Sequence, residues 1–321
     1  MKTIGFLIST KKNEKRRAIL PEHIKYVRNK KNLFFEKGYG ESLGIEDYEY
    51  LNMGAQIQSR NEVILNDIIC DPKIGDSDYL SELKKGQTIF GWIHAVQNKN
   101  ITDKMINSKI SAIAWEDMFD SGQHVFWRNN ELAGEAAVLH AFTLFGSMPY
   151  ESNIALLGRG NTARGAYKTL TSLGANVTVY DKRTEDLLKK NLDKYDVFVN
   201  GILWDVYRKD HIIYREDLKR MKKPALIIDI SCDSAGAIET SRPTSIEDPI
   251  YFEEEVMHYV VDHTPTLISR TVSKAISFEV VKYLDDLIEG NNLNNETIKQ
   301  ATIIEKGEII DKRILDFQNR N

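Results

Sequence analysis

The sequence predicts an α/β protein of two layered domains joined by two long helices. Three observations carry that expectation. Across residues 1–130, short runs rich in β-branched and aromatic residues alternate with helix-like segments, as strands and helices packed in layers do. A second series of such runs occupies residues 153–261. Two longer stretches, 131–146 and 272–288, carry apolar residues at helical spacing and flank that second series.

The elements follow in order. Residues 4–9 read as a first strand, and the charged cluster from Lys11 to Arg17 as a loop. Pro21, tolerated in a first helical turn, opens an amphipathic stretch with Ile24, Tyr26 and Val27. Residues 33–35 suggest a second strand, ending in the turn-rich Lys37-Gly-Tyr-Gly40. Residues 47–53 look helical, and 67–70, 88–94 and 110–115 are further strands. The stretch 131–146 has Ala and Leu nearly all round, and a helix without a polar face is buried between larger pieces. It therefore reads as a connector. Strands of the second domain are expected at 153–158, 176–181, 196–200, 225–230 and 257–261. After Pro265 the second long helix sets Ile276, Val280, Leu284 and Leu287 on one stripe and ends at Gly290. Residues 301–310 read as a hairpin turning at Lys306-Gly307 that returns to the first domain. The expected division is 1–130 with 275–321, and 131–274.

The second series opens on Ile154-Ala-Leu-Leu-Gly-Arg-Gly-Asn-Thr-Ala-Arg-Gly165. An apolar strand ends in Gly158, Gly160 and Ala163 follow, and a helix begins, which is the context that gives a G-x-G-x-x-A pattern meaning. Gly158 permits the turn, Gly160 admits a pyrophosphate, and Ala163 lets helix and strand touch. Unpaired N–H groups at the helix start favour the anion. Gly158, Arg159, Gly160, Asn161, Thr162 and Ala163 are thus the expected dinucleotide loop, with Gly201 and Ile202 after the third strand beside them. Asp181 ends the next strand 23 residues after Gly158, where a ribose-binding carboxylate is expected. The fold class that results is two Rossmann-like domains separated by a cleft, with the first domain holding the substrate and the second the dinucleotide.

Composition narrows the function. Hydrophobic content of 42% and charged content of 28% suit a soluble globular protein, and a net charge of −4 gives no reason to expect nucleic acid or an anionic membrane as partner. No apolar run approaches a membrane span of roughly 18 residues. The start, Met1-Lys-Thr-Ile-Gly-Phe-Leu-Ile, is too short an apolar run for a signal peptide, so a cytoplasmic location is expected. Cys70 and Cys232 offer neither a disulfide framework nor metal-ligand spacing, so no metal is expected.

Several ordered segments outside the glycine loop resemble the alanine dehydrogenase / saccharopine dehydrogenase superfamily. They are Asn13-Glu-Lys-Arg-Arg-Ala-Ile-Leu-Pro21, Glu36-Lys-Gly-Tyr-Gly-Glu41, Gly54-Ala-Gln-Ile57, Asp67-Ile-Ile-Cys-Asp-Pro-Lys73, Gln87-Thr-Ile-Phe-Gly-Trp-Ile-His94, Asp229-Ile-Ser-Cys-Asp233 and Glu239-Thr-Ser-Arg-Pro243. One departure separates the chain from alanine dehydrogenases. Asp262-His-Thr-Pro-Thr-Leu267 stands where they have Asn-Met-Pro-Gly, and is similar to a saccharopine dehydrogenase segment. The chain is also shorter than typical members of either group. This mixture implies a reductive secondary-amine synthase of the opine type, coupling pyruvate to the side-chain amine of L-ornithine with NADPH. The alternatives are alanine dehydrogenase, a saccharopine-type enzyme, or a nucleotide-binding subunit like that of transhydrogenase. The resemblance also implies a homo-oligomer, a dimer or tetramer.

Forming a secondary amine from a keto acid requires an amine to lose a proton, a carbinolamine to lose water, and an imine to receive hydride. Each proton step wants a group that titrates near neutrality. Lys73 and His94 are the candidate proton carriers. Lys73 packed near Arg16 is expected to have its pKa lowered by like charge and desolvation, and His94 titrates in the right range unaided. The resemblance implies that Arg16 and Lys73 face the substrate carboxylate, which a guanidinium can hold by two hydrogen bonds. It makes Asp233 a catalytic acid near nicotinamide and substrate, and lets His263 contact the cofactor or the amine. Trp92, Trp115 and Trp127 read as core or cleft wall. Asp181 favours NAD, whereas Lys182, Arg183 and Arg159 could clamp a 2′-phosphate; three cations against one acid lean toward NADPH, with NADH not excluded.

Overall fold

The computed structural model, which describes residues 1–205 and 208–320, folds as two α/β units. One comprises Met1–Trp127 and the segment from Ser269 onward, and the other Arg128–Ile268. In chain order the strands of the first are β1 (Ile4–Phe6), β2 (Leu33–Glu36), β3 (Gln56–Gln58), β4 (Ile68–Cys70), β5 (Thr88–Gly91) and β6 (Ser111–Ala114). A small hairpin, β7 (Phe119–Asp120) and β8 (Gln123–His124), follows. The second unit carries β9 (Asn153–Leu157), β10 (Asn176–Tyr180), β11 (Val197–Asn200), β12 (Ala225–Asp229), β13 (Ile250–Glu253) and β14 (Val256–Tyr259). The chain then returns to the first unit with β15 (Thr302–Glu305) and β16 (Glu308–Ile309).

The first sheet runs β16-β15-β6-β5-β4-β1-β2-β3, parallel from β6 to β3, with β15 antiparallel to β6. Its central strands, Ile-Gly-Phe, Ile-Ile-Cys and Thr-Ile-Phe-Gly, are buried throughout. Parallel strands covered on both faces read as continuous apolar runs, which is why these were legible without alternation. β1 lies between β2 and β4, so the strand order reverses there. The second sheet runs β10-β9-β11-β12-β14-β13 and reverses between β9 and β11. In open sheets of this kind ligands bind beyond the carboxyl ends of the strands at such a reversal.

Several elements differ from the expectation. The first strand stops at Phe6, and β5 stops at Gly91, where a Cβ would stand 2.0 Å from the Asp71 carbonyl oxygen. The stretch after Pro21 is a single helical turn, Pro21–Ile24, and Tyr26 is exposed. The helix Lys99–Ser108 was unforeseen: it buries only Ile101, Thr102 and Met105, and its start is fixed by the Asn98 side chain accepting from the Ile101 amide. The polar edge strand β3 and the antiparallel edge strand β13 also escaped the pattern.

The long helices begin where the chain passes between units, as Trp127–Phe145 and Ser269–Glu289. The first packs against the glycine-loop helix Asn161–Ser172 backbone to backbone. A Cβ on Gly134 would lie 2.1 Å from the Thr162 carbonyl oxygen, and one on Gly165 would lie 1.9 Å from that of Glu131. That contact fixes the start of the nucleotide helix. On Ser269–Glu289, Ser273 Oγ accepts from the Arg17 amide at 2.9 Å and Ser277 Oγ from the Leu20 amide at 2.8 Å. The Arg16–Arg17 segment is therefore held from a distant part of the chain. The terminal hairpin turns at Lys306 (φ 50°) and Gly307 (φ 87°), the paired positive φ of a type I′ turn.

Candidate active site

In the first unit the loops after β1, β4, β5 and β6 supply Arg16, Lys73, His94 and Glu116 respectively, all at carboxyl ends of strands and around the reversal point. Arg16 is not a solvated loop residue: it is 3% exposed and Glu14 6%. Glu14 accepts from Arg16 Nε at 2.8 Å and from Arg16 Nη2 at 2.5 Å. Burial alone pushes the Glu14 carboxyl up, but the Arg16 charge and hydrogen bonds bring it below the ordinary value, so the pair is ionised. Leaving either member alone in such a place costs about 3–5 kcal/mol. The guanidinium also lies over the Trp92 ring, 5.1 Å from its centroid.

Lys73 follows β4 and is largely enclosed, its side chain 12% exposed. Asp71, wholly buried, braces the turn by accepting from the Lys73 amide (2.8 Å), Ser77 Oγ (2.9 Å) and Tyr79 OH (2.7 Å). Beside the expected like charge and enclosure, Lys73 has a carboxylate neighbour. Asp76 Oδ2 lies 3.4 Å from Lys73 Nζ and 3.0 Å from Lys11 Nζ, so a carboxylate bridges two ammonium groups. Burial pushes the Asp76 carboxyl up, and the charges of Lys73 and Lys11 bring it below its usual range.

His94 sits at φ 54°, turned out of the strand direction, with its amide and that of Ile93 donating to Glu116 at 2.5 and 3.1 Å. Burial pushes the Glu116 carboxyl up, against the pull of those two amides. The expectation that His94 titrates unaided near neutrality is corrected. Desolvation, then Lys73, lowers it to about 3; Asp76 opposes, and Lys11 and Arg16 add to the fall. His94 is an exposed residue, which weakens desolvation, but the neighbouring cations act in the same direction. On either count the imidazole is neutral at pH 7.

In the second unit, Gly158 closes β9 at φ 121°, and a Cβ there would lie 2.9 Å from the Gly201 carbonyl oxygen and 3.1 Å from Ala163 Cβ. Gly201, just after β11, would itself meet Ala163 Cα at 3.0 Å. These three residues seal the reversal point of the sheet. Gly160 is different: a Cβ there would meet no atom within 4 Å. Its φ is −72°, open to any residue, so neither fold nor backbone asks for glycine. Space for a close-approaching pyrophosphate does, and the residues present fit a dinucleotide on that ground. Asn161 and Thr162 begin the helix, and Asn161 Oδ1 accepts from Arg164 Nη2 at 3.1 Å. Arg164 in turn pairs with Glu131 on the preceding helix.

Asp181 follows β10 and accepts from Arg159 Nε at 2.9 Å, Arg183 Nη2 at 3.1 Å and the Arg183 amide at 3.0 Å. The Arg183 and then Arg159 hydrogen bonds lower its carboxyl to about 2. Arg159 and Arg183 are the cations at this carboxylate, while Lys182 between them is exposed. Ile202 follows Gly201, its carbonyl accepting from Ser231 Oγ.

At the next strand end Asp229 is buried and takes hydrogen bonds from Asn200 Nδ2 (2.9 Å), Ser241 Oγ and the Ser231 amide (3.2 Å). It shapes the loop that carries Asp233, where Cys232 stands at φ 59°. Burial and then the nearby Asp229 raise the Asp233 carboxyl to about 6, a value suited to moving protons near neutrality. Cys232 Sγ donates to the Val261 carbonyl at 3.2 Å, which ties this loop to the segment after β14. There Asp262 accepts from His263 Nδ1, and His263 Nε2 is buried with no partner among the described residues. An orphaned ring nitrogen at a strand's carboxyl end is a second observation that fits a bound ligand.

Sequence reasoning missed Glu14, Asp76, Glu116, Asp71 and Asp229. Glu14, Asp71 and Asp229 stood inside motifs already singled out, whereas Asp76 and Glu116 were bare acids with no spacing to mark them. The five remaining histidines make structural contacts: His23 with Ser277, His124 with the Trp115 carbonyl, His140 with Tyr259, His211 with the Gly236 carbonyl and His258 with Thr240. Trp92 and Trp115 are core, their rings edge to face at 4.9 Å.

The family models of the alanine dehydrogenase/PNT N-terminal and C-terminal domains match residues 8–127 and 182–312, leaving the glycine loop outside the matched residues. An N(5)-(carboxyethyl)ornithine synthase of Clostridium botulinum is 34% identical over 299 residues, covering 88% of this chain and 93% of that protein. Alanine dehydrogenase 1 of Staphylococcus aureus is 27% identical, covering 93% and 92%. A solved L-alanine dehydrogenase superposes with a TM-score of 0.86 over 99% of both chains at 17% identity, a likeness of fold. With two domain models spanning most of its length and a relative this similar, the chain belongs to the alanine dehydrogenase/PNT family, and is an oxidoreductase that works on CH–NH bonds with a nicotinamide cofactor.

Proposed function

We propose that the protein condenses pyruvate reductively with the side-chain amine of L-ornithine, using NADPH, to give N5-(L-1-carboxyethyl)-L-ornithine. The observation that carries this reading is the 34% identity to a protein of that name across nearly the whole of both chains, against 27% to alanine dehydrogenase. The unit holding Arg16, Lys73 and His94 is the substrate domain, and the unit with the glycine loop is the dinucleotide domain.

The chemistry distributes as follows. Arg16 takes the pyruvate carboxylate, its plane set by Glu14 and Trp92. His94, neutral at pH 7, accepts a proton from the attacking amine. The resulting imidazolium gives that proton to the carbinolamine hydroxyl, which departs as water while the C=N bond forms. Lys73, bridged to Asp76, polarises the keto oxygen and gives it the first proton. The second comes through His94 from the amine, and Lys73 is reprotonated from solvent. A nicotinamide bound at the glycine loop supplies the hydride that reduces the C=N carbon. The Asp233 carboxylate stabilises positive charge on that nitrogen until reduction removes it.

Cofactor choice follows from the Asp181 cluster. Its carboxylate is already neutralised by Arg159 and Arg183, so a 2′-phosphate meets two guanidiniums rather than a bare acid. The deciding experiment follows NADPH oxidation with pyruvate while the amine is varied among ornithine, lysine and ammonia. Turnover is expected with ornithine. Consumption with ammonia alone would make the protein an alanine dehydrogenase, and a requirement for 2-oxoglutarate and lysine a saccharopine-type enzyme. Arg183→Ala is expected to raise KM for NADPH about tenfold and leave that for NADH little changed.

Asp233 gives a pH signature. With its carboxyl at about 6, kcat is expected to fall below that pH, and the Asp233→Asn variant to lose that limb. Stability moves with a definite sign. A raised carboxyl contributes stability that is full below its unfolded value and lost as pH rises through about 6, so Asp233→Asn should raise Tm more at pH 8 than at pH 5. An unchanged acid limb in the variant would remove Asp233 from the reaction.

A further inference from the structure

The first unit has a cavity of about 490 Å³ at the amino ends of its strands, the opposite edge of the sheet from the loops of Arg16, Lys73 and His94. Lys2, Thr88, Ile113, Lys299, Glu305 and Lys306 contribute to its wall. Thr88 and Ser111 are the first residues of β5 and β6, and Lys2 lies two residues before β1. The volume is that of a small-molecule site, between about 300 and 1,000 Å³.

Three features of the wall are unaccounted for by the fold. Thr88 is 5% exposed, lines the cavity, and its hydroxyl has no hydrogen-bond partner among the described residues. The ammonium groups of Lys2 and Lys306 have no carboxylate within ion-pair distance among the described residues. Lys306 is nonetheless rigidly placed: it sits at φ 50° in the I′ turn, and its amide donates to Ser111 Oγ at 3.0 Å. Lys299 faces Glu296 at 3.4 Å, and Glu305 is the one carboxylate among the lining residues. The charge excess is positive, the Thr88 hydroxyl offers a donor, and Ile113 and Ile310 give the cavity apolar surface.

We propose that this cavity is a second ligand site, which takes a small organic anion: a carboxylate or phosphate carried on an apolar body. The anion lies between Lys2 and Lys306 with the Thr88 hydroxyl donating to it, and the body rests on the two isoleucines. The strand direction separates this place from the catalytic loops. Thr88 opens β5 and His94 lies beyond the carboxyl end of that strand at Gly91, so the ligand of this cavity does not compete with pyruvate.

The test is calorimetric titration of the intact protein with hexanoate and with phenyl phosphate, each in saturating pyruvate, alongside inorganic phosphate. Saturable binding of at least one organic anion, tighter than inorganic phosphate, is expected, and the pair shows which acidic group is preferred. A Lys2→Ala, Lys306→Ala double variant should weaken it about tenfold or more, and Thr88→Val by a few fold, with kcat unaltered. The double substitution lies on exposed or half-exposed side chains, so the fold survives it. Absence of saturable binding, equal binding by the double variant, loss of binding as pyruvate is added, or equal affinity for inorganic phosphate would each overturn the proposal.

Discussion

Lys73→Met and His94→Gln should each lower kcat by about 10²-fold or more, with the fold intact. Met keeps most of the volume of the lysine stem and removes only the ammonium group. Asp76 loses one of its two cations but keeps Lys11 at 3.0 Å, so no carboxylate is stranded. The turn itself survives because Asp71 grips the Lys73 amide, not its side chain. Glutamine at position 94 keeps hydrogen-bonding groups but cannot carry a proton, and Glu116 still holds the backbone amides. Its left-handed φ is a strain for either residue, and His94→Asn, better tolerated in that region, serves as a second variant. Steady-state kinetics with pyruvate and ornithine, beside thermal melts, check both. Wild-type turnover in a folded variant would take that residue out of the mechanism.

How far the sequence reached is clearest at these same residues. The strands that end at Cys70, Gly91 and Leu157 were legible because each is an apolar run between turn residues, and buried parallel strands leave that signature. The glycine loop was legible from spacing, and the terminal hairpin from Lys306-Gly307. What stood beside each functional side chain was not. Asp76 reaches Lys11 across 65 positions, and Arg17 reaches Ser273 across 256. Such pairs are products of strand order, which no local pattern encodes. The charge state of His94 follows the same logic: its pKa falls through desolvation first and then through Lys73, Lys11 and Arg16, which the fold gathers round it. The helix Lys99–Ser108 was lost for a different reason, since a mostly polar ten-residue segment with three inward positions has little periodicity to read.

Gly158→Ala and Gly160→Ala should part company, although both glycines sit in one loop. At position 158 the backbone is at φ 121°, outside what alanine adopts without a cost of about 1–3 kcal/mol. The added methyl would also press on the Gly201 carbonyl at 2.9 Å. Strand β9 and the turn after β11 would have to separate, so this variant should lose both thermal stability and nucleotide affinity. At position 160 the methyl meets no protein atom within 4 Å, and φ of −72° suits alanine. Stability should therefore hold or rise slightly, through the smaller entropy of the unfolded chain. Nucleotide affinity, read by NADPH fluorescence titration, should nevertheless fall at least tenfold, because the methyl occupies the space through which a pyrophosphate approaches the helix N-terminus. A Gly160→Ala protein that binds NADPH as the parent does would place the dinucleotide elsewhere, and Asp181 with its two arginines would then be a surface ion-pair cluster.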